Sequence, residues 1–470
     1  VTVKIEKIST HISERVPRVP EREDFRRELE RVIKESDSDE SHWIRLNFNI
    51  PEMDPLLWLS YQKGSDRFYW RDRDGRLEIA GMGSALRIEA ASLEEIFPRI
   101  NELFKIVQKA PDGLRFFGGI RFNATAEMDA DWQPFGIFRS IAPAVEVCRE
   151  PDRCRLSINY FWQKGTSRSE VREQLFHIFD GIIFRDAQPI PVNGEYLKIL
   201  KRIDVPDFSG WRKNIEQALS IITSRELEKI VLARKSSFVL NDHIDPLALM
   251  YRLRKRAHPA FHFMFQVNGE HYFLGATPER LYYRTDRHIF SEAVAGTRQR
   301  GETPEDDRKL EAELVNSEKD VWEHRLVVNS IRQVFKKICQ TYMTDPALQV
   351  VKLSKVQHLY LGFRGQLKNR VSDADIIRLL HPTPAVGGYP TNRALEWIDH
   401  LEGFDRGWYA GPVGWIGKDK AEFVVAIRSG MVVRNQLHLF SGAGIVEGSE
   451  ARAEWMEIEN KIENFLKIFQ

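Results

Sequence analysis

Apolar and polar residues alternate with a period of two over much of the first 200 residues. "HWIRLNFNI" (42–50) reads as a strand, and "DRFYWRDRDGRLEIAGMG" (66–83) as two strands joined by a DG hairpin. "LEEIFPRINELFKIVQKA" (93–110) has helical periodicity that Pro98 interrupts, while "DGLRFFGGIRFN" and "FGIFRSIAPAVEVCRE" read as strands with glycine at turns or close approaches. Two prolines and a glycine break both periods in "FRDAQPIPVNGEY" (184–196), which sets a boundary between an N-terminal scaffold region, 1–200, and a second region, 201–470, of one compact body. Beyond it strands alternate with long helices. Ser209 is a candidate cap for a helix from about Trp211, "ELEKIVLARKSSFVL" turns strand-like, and "FHFMFQVNGEHYFLGATPERLYYRTDRHIF" holds a hairpin with NG at its turn. Strands also fill "WYAGPVGWI" and "EFVVAIRSGMVVRNQLHLF". The fold class expected is α/β of the α+β type, with antiparallel strand pairs. No GxGxxG follows a strand and no GxxxxGK[ST] occurs, so a dinucleotide fold and a P-loop are excluded.

Two helices carry carboxylates at the border of their apolar stripes. "FSGAGIVEGSEARAEWMEIENK" (440–461) puts a glycine-rich turn before a helix from about Ala451. On that helix Glu454, Glu457 and Lys461 stack along the edge of a stripe made by Trp455, Ile458, Ile462, Phe465, Leu466 and Phe469, and Glu459, Glu463 and Lys467 face water. A second helix follows Ser317, a capping residue, with Val321, Val328, Ile331, Phe335 and Ile338 as its stripe and Glu323 beside it. Ion pairs on a solvated rim would contribute only a few tenths of a kcal/mol. Two such helices facing one another would instead hold a hard cation. Magnesium suits this donor set, because it takes few protein carboxylates and keeps positions for water and an anionic ligand. Zinc would require His or Cys at tetrahedral spacing, and calcium a DxDxDG loop.

Charge and cysteine content narrow the classes further. Lys+Arg number 69 and Asp+Glu 68, so no large field points to nucleic acid or to an anionic membrane. Cys148, Cys154 and Cys339 form no CxxC, which disfavours a disulfide framework or a structural zinc site. The opening "VTVKIEKISTHISERVPRVP" has no signal-type apolar core, and no stretch is apolar for the length of a spanning helix, so a cytoplasmic protein is expected. Lys229, at the entry to an apolar strand, reads either as a stem with its amine in water or as a base. Glu279, after Pro278 on a turn, reads as an ion pair with Arg280 or another arginine, or as an acid whose pKa is raised by burial.

"LEKIVLARK", "GATPERLY", "EAVAGTRQRG", "ELVNSEKDVWEH", "LLHPTPAVGGYP", "GWYAGPVGWI", "AIRSG" and "LFSGAGIVEGSEARAEWMEIENK" resemble, in the same order, the chorismate-utilising enzymes over about residues 205–467. "FFGGIRF" and "WQPFGIF" resemble the longer N-terminal part of the isochorismate synthases of menaquinone synthesis. The resemblance implies two antiparallel sheets enclosing the site with helices outside. It implies Mg2+ on Glu323 and Glu457, Lys229 as general base and Glu279 as general acid. It places Arg428, His358, Lys461 and the backbone of Gly442, Ala443 and Gly444 around the substrate. The reaction implied is conversion of chorismate to isochorismate, by a monomer with no obligate glutaminase partner. Ala295 stands where aminodeoxychorismate synthases often carry a covalent lysine, Gln299 where many relatives have proline, and the tryptophan-sensing "LLES" of anthranilate synthase component I is not found. Salicylate synthase and anthranilate synthase component I are the alternative activities, and a non-catalytic chorismate-binding module is the alternative of another class.

Overall fold

The computed structural model describes residues 18–36, 40–185, 198–256, 259–352 and 356–467. Two antiparallel sheets make up its centre, with twelve and ten strands among the described residues, and helices surround them. Each sheet draws strands from both sides of residue 200. Arg67–Arg71 pairs with Phe261–Val267 in the larger sheet, and Arg115–Ile120 with Pro412–Gly417 in the smaller. Between them the rings of Phe68 and Phe117, one from each sheet, stack at 4.1 Å. Trp132 packs edge-on to Phe273 at 5.2 Å, and Trp408 meets Phe265 at 5.6 Å, extending the aromatic filling between the layers. Burying a side chain of this size contributes about 2 kcal/mol or more.

The two-residue alternation predicts strands well where a hairpin fixes the register. His42–Ile50 is a strand, and Arg67–Arg71 pairs with Glu78–Met82 across the DG turn. Phe261–Val267 pairs with His271–Thr277 around Asn268 and Gly269, both at positive φ (54° and 77°), as a tight hairpin requires. Elsewhere local signals mislead. The helix Leu93–Gln108 runs unbroken through Pro98, because one face buries Ile96, Ile100, Leu103 and Val107 and this outweighs one missing hydrogen bond. Asp207, not Ser209, caps the helix Phe208–Thr223, accepting from the amide of Gly210 at 2.8 Å, so the helix begins before Trp211. The glycine-rich stretch before the last helix is not a turn. Gly442–Gly444 belongs to the strand Gln436–Ile445, and the turn follows it. Most of the expected boundary, 184–196, and Phe469 lie outside the described residues.

Candidate active site

Two short crossings from one sheet to the other place the first pair of charged residues. His271–Thr277 lies in the larger sheet and Arg280–Thr285 in the smaller, with only Pro278 and Glu279 between them. The return crossing, from Lys420–Val425 to Ser429–Val433, contains Arg428. The crossings are bonded to each other: Val425 N–H donates to the Glu279 carbonyl (3.0 Å), and the Thr277 hydroxyl to the Val425 carbonyl (2.7 Å). Arg428 has φ of 50°, a left-handed conformation that costs a side-chain-bearing residue about 1 kcal/mol or more and is held here by the surrounding strands.

This placement sets the environment of Glu279. Glu279 is 7% exposed, and burial raises its carboxyl to about 7, with Glu292 adding to the rise and Lys229 and Arg428 opposing it. Arg280 is not its partner, because that guanidinium is held by Glu292 (2.9 Å) and Glu422 (3.0 Å). Arg428 is exposed, yet burial among protein groups is the first cause lowering its pKa.

Lys229 opens the strand Lys229–Leu240 in the larger sheet, and its amine is not in water: the side chain is fully buried and donates to Glu323 Oε1 at 2.6 Å. Space for it comes from the neighbouring strand, where Val231 pairs with Gly444 and Ala233 with Gly442. A Cβ on Gly444 would lie 3.0 Å from both Lys229 Cε and Glu323 Oε1. By the two-residue alternation Gly442 and Gly444 share the face of Lys229, whereas the Ala443 methyl lies on the opposite face, so that residue offers the site only backbone.

The two helices expected to carry carboxylates pack on different sheets. Glu318–Ile338, capped by Ser317, lies against the strand His288–Gln299 of the smaller sheet, and Ala451–Leu466 lies against Gln436–Ile445 of the larger. Lys319 joins them near their N-termini, donating to Glu454 Oε1 at 3.3 Å. One turn further along stand Glu323 and Glu457. Lys461 donates to Glu457 Oε1 (2.8 Å) and to the Gly442 carbonyl (2.9 Å), and the Lys461 ammonium is the first cause of a lowered Glu457 pKa. Glu459 does not face water: it receives Arg202 and the fully buried Arg234, at 2.6 and 2.7 Å.

The smaller sheet supplies His358, paired with Thr297 across neighbouring strands. The Thr297 hydroxyl lies 2.9 Å from His358 Nδ1, while Nε2 is buried without a partner among the described residues. Burial first, then the Arg428 and Lys461 charges, lower its pKa to about 4, so the ring is neutral at pH 7. Thr297 is a residue the sequence reading missed, although it stands inside the quoted "EAVAGTRQRG".

Among the described residues no three or more His, Cys, Asp or Glu side chains converge as a metal cluster. The donor set still fits a cation with few protein ligands. Glu323 and Glu457 each give one oxygen to a lysine and leave Oε2 unpartnered among the described residues.

The chain resembles known proteins over nearly its whole length. The family described as "Chorismate binding enzyme" matches residues 27–470. Isochorismate synthase 2, chloroplastic, of Arabidopsis thaliana is 33% identical over 404 residues, which is 83% of this chain and 70% of that protein. Isochorismate synthase MenF of Bacillus subtilis is 30% identical over 93% of this chain and 96% of its own length. The solved structure of MenF, the menaquinone-specific isochorismate synthase from Escherichia coli, superposes with a TM-score of 0.82 at 29% identity, over 94% of this chain and 99% of that one. With the match reaching from the first helix to the last, this chain belongs to the chorismate-binding enzyme family.

Proposed function

We propose that the protein is an isochorismate synthase, which adds water at C2 of chorismate and expels the C4 hydroxyl. The observation that carries this reading is that the buried Lys229, held by Glu323, lies close enough to the buried Glu279 for its charge to act on that carboxyl, as the Arg428 charge also does. Water is a poor nucleophile and hydroxide a poor leaving group, so the reaction needs a base at one carbon and an acid at another. Lys229 takes a proton from the attacking water. Glu279, protonated below about pH 7, gives its proton to the departing hydroxyl, and the ring double bonds shift between the two carbons. Arg428 and Lys461 orient the substrate's carboxylates, His358 offers Nε2 to a polar substituent, and the strand at Gly442–Gly444 allows close backbone approach. Glu323 and Glu457 would hold Mg2+, which when bound neutralises and orients the ring carboxylate. The likeness to the menaquinone-specific MenF over 94% of this chain is what favours supply of that pathway, and a cytoplasmic monomer is part of the same reading.

The deciding experiment incubates purified protein with chorismate and Mg2+ and follows all products. Isochorismate without pyruvate, and without a requirement for ammonia or glutamine, is expected. Salicylate with pyruvate would make it a salicylate synthase, an ammonia-dependent product an anthranilate synthase, and binding without turnover a non-catalytic module.

A further inference from the structure

The turn bearing Glu279 is gripped from behind by a charged group that comes from a distant part of the chain. Arg73, in the DG hairpin between Arg67–Arg71 and Glu78–Met82, donates through Nη2 to the carbonyl of Pro278 (2.7 Å) and to Glu292 Oε2 (2.7 Å). Glu292 is 5% exposed in its side chain, and its other oxygen receives Arg280 at 2.9 Å. The guanidinium carbons of Arg73 and Arg280 lie 4.9 and 5.1 Å from the ring centroid of Phe261. Arg280 also reaches Glu422, 5% exposed in its side chain, at 3.0 Å. Thus the residue before Glu279 and the residue after it are both tied to one carboxylate.

Such an arrangement is more than a rim of surface ion pairs. Buried carboxylates are costly unless fully bonded, so Glu292 commits both arginines to one geometry. That geometry in turn fixes the backbone on either side of Glu279, whose own amide lies 3.2 Å from the Thr277 hydroxyl. We propose that Arg73 and Glu292 are positioning residues for the acid, the hairpin of the N-terminal region locking the backbone on either side of Glu279 and Glu292 setting the field around its carboxyl. This rests on the reading of Glu279 as the proton donor. The two residues act in opposite electrical senses. Glu292 raises the Glu279 pKa, so removing its charge lowers it. Removing the Arg73 charge leaves Glu292 less compensated, which raises it.

The test is the pH dependence of kcat/KM for chorismate with Mg2+ in Glu292→Gln and Arg73→Met. Activity requires protonated Glu279, so it falls as pH rises through the acid's pKa. The alkaline fall should begin about one pH unit earlier in Glu292→Gln and later in Arg73→Met. In Arg73→Met kcat should drop on the order of tenfold with little change in KM, since the residue touches no substrate. Arg73→Lys, which keeps the charge, should restore the position of the fall. Unmoved profiles in both variants, or shifts of the same sign, overturn the proposal, because a merely structural role changes the amount of active enzyme and not its pKa. Should Glu292→Gln fail to fold, Arg73→Met and Arg73→Lys decide it alone. Glu279→Gln separates the two levels of the argument: full activity in that variant sinks the acid assignment itself, whereas loss of activity there with unmoved profiles elsewhere sinks only the positioning.

Discussion

Replacing Glu279 by glutamine should make the protein more stable at high pH while removing its activity. The carboxyl ordinarily titrates at 4.5, and burial raises it to about 7. The folded state therefore holds this proton more tightly than the unfolded chain does, a contribution to stability that is complete below pH 4.5 and is lost as pH rises through about 7. At pH 8.5 the folded state carries a buried carboxylate at a cost of about 3 kcal/mol, whereas at pH 4 to 5 the side chain is close to neutral and nearly isosteric with glutamine. The variant should gain about that amount at pH 8.5 and nothing near pH 4.5. For a chain of 470 residues the entropy of unfolding is about 1 kcal/mol per degree, so the gain amounts to about 3 °C in Tm.

Thermal unfolding of both proteins across pH 4.5 to 8.5, at matched scan rates because large chains often unfold irreversibly, measures the difference directly. Turnover in the same buffers supplies the second half. A Tm difference that does not grow with pH would show that the carboxyl is not held neutral by its surroundings. A variant that is stabilised at high pH yet fully active would show that the buried proton serves stability alone. Loss of turnover together with gain of stability is the expected combination, since a group placed for proton transfer is a group the fold tolerates at a cost.

Glu323→Gln and Glu457→Gln should each lower Mg2+-dependent turnover by about a hundredfold and weaken Mg2+ binding measured by calorimetry, with circular dichroism unchanged; normal binding in both would reject the metal assignment. Lys229→Ala should abolish conversion in both directions, tested with chorismate and with isochorismate, while chorismate still binds. Gly444→Ala should lower kcat, because its Cβ would press at 3.0 Å on Glu323 Oε1 and Lys229 Cε, and an unaffected kcat would show that the pair has room to move. Glu459→Gln should destabilise the fold by about 3 kcal/mol in denaturant titration without altering KM, since it leaves the buried Arg234 guanidinium with a weaker partner.

Hairpins and amphipathic helices were legible because their signals are local. The NG and DG turns fix register within a few residues, and a stripe of apolar positions needs no knowledge of what it packs on. Glu323 and Glu457 could be singled out for the same reason, as carboxylates bordering such stripes. What local pattern cannot express is which polar group lies opposite which. Glu459 has the spacing of a solvent-facing residue, and it is turned inward by Arg202 and Arg234 from two strands that pair with each other. Lys229 reads as a stem reaching water until the strand beside it proves to carry glycine at 444, and only then is there space for a buried amine next to Glu323.

The acid shows most clearly where the missing information resides. Pro278 and Glu279 read locally as a turn, which they are, but a turn at the surface would leave the carboxyl in water with an ordinary pKa. It is buried because the chain changes sheets there, and the two sheets face one another only through contacts far apart in sequence, such as the stacking of Phe68 on Phe117. Arg73 completes the logic. Its bond to the Pro278 carbonyl spans 205 residues, and nothing in "RDRDGR" distinguishes an arginine that grips an active-site turn from one that solvates a hairpin. The family resemblance singles out Glu279 because it stands within a motif, "GATPERLY". The groups that set its proton affinity emerge only when the two sheets are laid face to face, where a carboxylate 5% exposed and two arginines around it leave Glu279 one orientation and one field.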